Sequence, residues 1–85
     1  MLYYTYVLKS NKDNKLYIGF TNNLKLRFEQ HKKGLVTSTK NRRPLKLIYC
    51  EICTERKDAT KREGYLKTHY GKMFLKKRLK SYFRG

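Results

Sequence analysis

Tyr17, Arg27, His31 and Glu63 carry side chains suited to phosphodiester chemistry, at spacings that could bring them together. Tyr17 belongs to Tyr17-Ile18-Gly19, inside a short apolar run that reads as a strand. Residues two apart on a strand share a face, so Tyr17 and Gly19 point one way while Leu16, Ile18 and Phe20 point toward a core. Gly19 has no side chain. That leaves space beside the Tyr17 ring for a phosphate, or equally for a helix packed against the strand. Arg27 and His31 stand at i, i+4 and are neighbours on one helix face, beside an apolar stripe of Leu24 and Phe28. Arginine can hold a phosphate through two hydrogen bonds, and histidine titrates near neutral pH. The same spacing also suits two solvated residues on a basic helix.

Glu63 stands out by periodicity. Ala59, Glu63, Leu66 and Tyr70 recur at steps of four, three and four, the stripe of an amphipathic helix. A carboxylate at an inward position needs a cation or a metal to neutralise it. Two readings stay open: a metal ligand, or an ion pair with Lys67 at i+4 or with Arg27. The segment Thr39-Lys40-Asn41-Arg42-Arg43 puts Lys40, Arg42 and Arg43 beside hydroxyl and amide groups, which suits phosphate contacts. Lys67 joins them as a candidate nucleic-acid contact.

The whole composition points to the same partner. The chain has 85 residues, 22 Lys+Arg against 6 Asp+Glu, and a formal charge of +16. Charge of that size opposes compactness, and nucleic acid is the commonest partner that compensates it. Basic residues are spread over the chain rather than gathered on one amphipathic helix, which argues against a membrane surface. No run approaches the ~18 apolar residues of a bilayer span. The N-terminal Met1-Leu2-Tyr3-Tyr4 lacks the charged start of a signal peptide. A cytoplasmic protein is expected, folded as a single domain over residues 1–85. Cys50 and Cys53 have C-x-x-C spacing, but they fall in a run that reads as a strand. Their sulfurs would face opposite ways there and could not share a zinc ion or form a redox pair. Among the 12 aromatic residues (eight Tyr and four Phe), some could stack on bases, and most should be core.

The elements that must position these groups follow from local signals. Residues 2–9 and 16–20 read as strands joined by the polar turn Ser10–Lys15. Thr21-Asn22-Asn23 offers caps for a helix from about Leu24 to Lys33, stopped at Gly34. Pro44 precedes a third strand carrying Leu45, Leu47, Ile48, Tyr49 and Ile52. A second helix is predicted over 57–69, capped by Thr54 or Asp58 and ending near Gly71, and a third over 72–82 with Leu75, Leu79 and Tyr82 on one side. The order ββαβαα is an α+β layer fold.

With these positions in view, the chain resembles the GIY-YIG nuclease superfamily over about residues 3 to 80. It looks most like the small stand-alone branch related to the catalytic domain of the excision-repair incision subunit. Tyr4-Thr5-Tyr6 stands at the first triplet and Tyr17-Ile18-Gly19 at the second. Leu24-Lys25-Leu26-Arg27 matches the arginine segment, and His31 lies where many members carry His or Tyr. Ala59-Thr60-Lys61-Arg62-Glu63 matches the helix with the metal-binding glutamate. The resemblance implies a three-stranded antiparallel sheet flanked by helices, one divalent metal (Mg²⁺ or Mn²⁺) on Glu63, and phosphodiester hydrolysis in DNA, with RNA as the alternative. It implies that Arg27 holds the scissile phosphate and that Tyr17 positions or deprotonates water, assisted by Tyr6 and His31. A free tyrosine has a pKa of ~10, so nearby cations would have to favour its phenolate. The chain departs from the pattern at Tyr4, which replaces a glycine, and at Phe20, where the repair enzymes have lysine. It also has no asparagine after Glu63, where several members carry one. A non-catalytic nucleic-acid-binding module of the same fold is the rival reading, and a protein partner supplying specificity is a third.

Overall fold

A computed structural model of the protein describes residues 1–84. Its elements are β1 (Tyr3–Ser10), β2 (Leu16–Thr21), α1 (Leu24–Lys32), a 3₁₀ turn (Lys40–Arg42), β3 (Leu45–Cys53), α2 (Arg56–Leu66), α3 (His69–Arg78) and α4 (Lys80–Arg84). The strands form an antiparallel sheet in the order β2-β1-β3, with β1 at its centre. This is the expected α+β architecture. The last expected helix, however, is two, because the backbone leaves helical geometry at Leu79 (φ −109°, ψ 34°). Among the described residues no helix is long and apolar enough to cross a membrane.

Strand alternation divides the core between two faces. On one, Tyr6, Leu8 and Leu45 are buried against Leu24 and Phe28 of α1, with Tyr17 and Leu47 beside them. On the other, Val7 and Ile18 pack on Leu66 of α2 and Leu75 of α3, flanked by Phe74 and Leu79. Tyr6 is paired with Gly19 and Leu8 with Tyr17, so the register itself gathers both phenols on the α1 face. Between β1 and β3 the register shifts, from Val7↔Tyr49 to Leu8↔Leu47, which leaves Ile48 as the extra residue of a bulge. Cys50 and Cys53 are free thiols.

Side chains pin the turns. Ser10 Oγ accepts from the amides of Lys12 (3.1 Å) and Asp13 (3.2 Å) and donates to the Arg42 carbonyl (2.6 Å), tying the hairpin to the 3₁₀ turn. Asn23 Oδ1 accepts from the Leu26 amide (3.1 Å) and so satisfies one free donor at the start of α1. Gly34, just past the end of α1, has φ +78°, which glycine adopts without steric cost. The start of α2 differs from expectation. Neither Thr54 nor Asp58 caps it; Glu55 is the N-cap and makes no side-chain cap bond, while Asp58 lies in the first turn, where its charge complements the helix dipole. The sheet is tied to α2 by Thr5 Oγ1, which donates to the Ala59 carbonyl at 3.2 Å.

The junction after α2 is the main correction. The helix stops at Leu66, and Thr68 caps a new one by accepting from the Gly71 amide at 3.1 Å. Gly71 therefore opens α3 instead of ending α2. A methyl group there would overlap the Tyr65 carbonyl and the Leu66 Cα, so a close helix approach requires the glycine. Because the helix restarts, Tyr70 leaves the inward stripe and is 72% exposed. Ile52 is 59% exposed near the end of β3.

Candidate active site

The geometry starts from Tyr6, buried at the centre of the sheet. Its hydroxyl is hydrogen-bonded to His31 Nε2 at 2.9 Å, and His31 Nδ1 is hydrogen-bonded to Thr39 Oγ1 at 2.7 Å. The Thr39 hydroxyl donates, at a long 3.5 Å, to the Val36 carbonyl. Its oxygen is then free to accept from His31 Nδ1–H, leaving Nε2 to accept from the Tyr6 hydroxyl. The Tyr6 phenol lies across Gly19, where a Cβ would come within 2.6 Å of its oxygen. The space expected beside the Tyr17 ring is therefore occupied by Tyr6 and does not admit a phosphate. Gly19 serves the phenol-imidazole contact instead.

His31 is fully buried, with 0% exposure. Burial, helped by the nearby positive charge of Arg27, lowers its pKa from 6.5 to about 4. The expectation of a proton exchanger near neutral pH is corrected accordingly: the imidazole is neutral at pH 7, both its nitrogens are bonded, and it holds Tyr6 in place. Burial also raises the Tyr6 pKa, and the Arg27 guanidinium opposes that rise.

Tyr17 is half-buried next to this pair, its ring centroid 6.4 Å from Tyr6 and 5.1 Å from His31. Arg27, on the same helix as His31, stands beside both phenols. Their hydrogen-bonding and charge raise its pKa, with Tyr6 the larger influence. The full-geometry hydrogen bond of Arg27 runs from Nη1 to Gln30 Oε1 at 3.2 Å, so toward the phenols the guanidinium acts at looser range. Tyr6, Tyr17, Arg27 and His31 thus converge from β1, β2 and α1.

Glu63 lies on α2, and what links it to this group is its charge. Its charge is close enough to raise the Tyr6 pKa, though it is the smallest of the influences on that phenol. Its side chain is 22% exposed and ion-paired to Lys67 Nζ at 3.3 Å, so the carboxylate is not sealed in a dry pair. Among the described residues no three His, Cys, Asp or Glu side chains gather into a metal-binding cluster. A dedicated all-protein cage does not fit. The donor set does suit a cation such as Mg²⁺, which keeps several waters and is commonly held by one or two carboxylates plus substrate phosphates; Glu63 is the residue that would hold it.

The expected nucleic-acid contacts separate. Lys40 is exposed. Arg42 donates through Nε to Asp13 Oδ2 at 3.2 Å. Arg43 is committed to the loop: Nε donates to the Lys40 carbonyl (2.9 Å) and Nη1 to the Lys32 carbonyl (3.4 Å), with the guanidinium packed over Gly34. Lys67 faces Glu63. Two contributors were missed from the sequence, and only one of them carried a readable signal. Thr39 was expected among solvent-facing hydroxyls, yet it is fully buried on His31, a contact that only loop closure creates. Gln30 could have been found from its i+3 spacing to Arg27.

Comparison with known proteins names the class that this fold and cluster define. The family model described as the GIY-YIG catalytic domain matches residues 2–79. The chain belongs to the GIY-YIG family, which is a family of endonucleases. Within it, the similar proteins are small. The UPF0213 protein CPE1444 of Clostridium perfringens is 43% identical over 65 residues, covering 75% of this chain and 69% of its own length. The UPF0213 protein SH2523 of Staphylococcus haemolyticus is 39% identical over 75 residues, covering 87% and 90%. The solution NMR structure of the UPF0213 protein BH0048 from Bacillus halodurans superposes with a TM-score of 0.56 at 26% identity, covering 88% of this chain and 82% of that one.

Proposed function

We propose that the protein is a metal-dependent endonuclease that hydrolyses phosphodiester bonds in DNA, with branched or nicked DNA as the substrate to try first. The observation that carries this reading is the cluster of Tyr17 and Arg27 beside the buried Tyr6–His31 pair, within electrostatic reach of Glu63. In this reading Arg27 binds the scissile phosphate and balances the charge that grows on its oxygens during attack. Tyr17, in its phenolate form, orients the attacking water and takes its proton. Tyr6, kept protonated by burial and anchored by His31, backs the Tyr17 ring and acts as a positioning residue. Glu63 would hold Mg²⁺ or Mn²⁺, which when bound supplies positive charge to the reacting phosphate. Lys40 and Arg42 would contact flanking phosphates.

The test is incubation of the pure protein with nicked, branched and intact DNA in magnesium or manganese. Arg27→Ala and Glu63→Gln should each reduce cleavage by ~10²–10³, the usual cost of losing one charge-stabilising group. Cleavage that persists unchanged in Glu63→Gln would trace to a contaminant and end the proposal. One observation favours the rival, a non-catalytic nucleic-acid-binding module: Glu63 is already ion-paired with Lys67. That reading expects salt-sensitive binding and no products with either metal.

A further inference from the structure

One groove of the molecule lies apart from the Tyr17 cluster. It has a volume of about 810 Å³ and lies where the hairpin turn meets α3 and α4. His69, Lys72, Met73 and Lys76 line it at i, i+3, i+4 and i+7, so one whole stripe of α3 is given to the groove, while Leu75 and Phe74 serve the core. Lys15, just before β2, and Arg42 of the 3₁₀ turn also line it.

Apart from Arg42, which is paired with Asp13, the cations of this groove have no acidic partner among the described residues. Lys15, Lys72 and Lys76 are exposed, and among the described residues none of them forms an ion pair. No acidic residue lines the groove. Lys72 and Lys76 are neighbours at i, i+4 on α3, where like charges repel, and a polyanion would relieve that repulsion. Leu16 and the exposed Met73 and Phe83 give the groove an apolar lining between its cations. Cations interleaved with apolar and aromatic side chains make the kind of surface on which single strands bind, phosphates on the cations and base faces on the rings. Position matters as well. Leu16, in that lining, is the neighbour in β2 of Tyr17, which points to the opposite face, and β2 is an edge of the sheet. A strand rounding that edge would pass from one surface to the other.

We infer that this groove, on the α3 face of the sheet, is a second site that holds a single-stranded flank of the nucleic-acid substrate while the scissile bond lies at Tyr17. The inference rests on the nuclease reading for the second half of that statement only; strand binding stands without it.

The experiment compares wild type, the groove variant Lys15→Ala/Lys72→Ala/Lys76→Ala, and a control of equal charge loss, Lys33→Ala/Lys57→Ala/Lys61→Ala. All six positions are exposed, so removal of the amines leaves the fold in place. Binding of a fluorescent oligothymidylate, and of a duplex of the same length, is titrated in metal-free buffer across a salt series. The groove variant should flatten the slope of log K against log salt for the single strand by about 2, at roughly 0.7 for each phosphate no longer neutralised, and the control should change it clearly less. Equal changes in both variants would reduce the groove to general charge and overturn the inference, as would a weakening confined to the duplex. Failure of the two readings is separable. A groove-dependent slope in a protein that cuts no DNA removes the endonuclease alone. Cleavage together with an unchanged slope removes the groove alone.

Discussion

The two faces of the sheet are built from adjacent residues of the same strands, yet they do different work. On the α2–α3 face Val7, Ile18, Leu66 and Leu75 form a dry contact. Its polar neighbours are fully matched at the rim, where Arg62 makes a two-pronged bond to Glu51 (2.8 and 2.9 Å) and Tyr49 donates to the same carboxylate. On the α1 face the layer between strand and helix contains a phenol and an imidazole, with a guanidinium at its edge. Burial stabilises the first face through apolar area. On the second, burial is turned on ionisable groups and shifts them. The difference shows how an 85-residue chain can keep a reactive cluster: stability is concentrated on one side so that the other can be polar.

The comparison can be broken most forcefully at Leu66. Leu66→Ala should cost about 2–5 kcal/mol of folding stability, the range for cavities in well-packed cores, as measured by chemical denaturation. A cost below about 1 kcal/mol would mean that the α2–α3 face is not the stabilising one. A smaller effect belongs to His31. Its folded pKa of about 4 lies below the ordinary 6.5, so between these values the unfolded chain binds the proton that the folded chain refuses. The contribution is fully present above pH 6.5 and is lost as pH falls toward 4. Stability should fall by about 2 kcal/mol between pH 7 and 4.5 through this group, and His31→Gln should flatten that limb. An unaltered limb in the variant would assign the acid sensitivity to other groups. The smallest effect is at Lys67. Its pair with Glu63 is mostly exposed on the lysine side, so Lys67→Ala should change stability by less than about 1 kcal/mol. Removal of a competing cation should, however, tighten Mn²⁺ binding in a calorimetric titration. Unchanged or weaker binding would show that the lysine does not compete for that carboxylate.

What was readable in the sequence was local. The hairpin, the Asn23 cap, the Gly34 stop and the Pro44 strand boundary each rest on residues within one turn of the feature they set, and the sheet followed from them. The α2–α3 junction was not readable, because Gly71 acts through contact with the preceding helix rather than through its own backbone freedom. The break at Leu79 carried no glycine or proline to announce it. In the candidate site, spacing placed Arg27 beside His31, strand alternation set Tyr17 beside Gly19, periodicity singled out Glu63, and the resemblance supplied Tyr6 and the roles. The burial of His31 was invisible, since it depends on the loop that brings Thr39 over the imidazole. The same loop ties the exposed Arg43 to the Lys40 and Lys32 carbonyls, and nothing in a run of basic residues separates a cation that reaches for solvent from one that binds carbonyls.

Tyr6 resting on Gly19 has one more consequence. The bond between phenol and imidazole depends on volume at a position that carries no functional group. Even the smallest added side chain at residue 19 would lift the aromatic ring away from its partner while every polar atom of the cluster remained in the chain. An inventory of reactive side chains would count such a protein as intact, although the hydroxyl and the ring nitrogen no longer met.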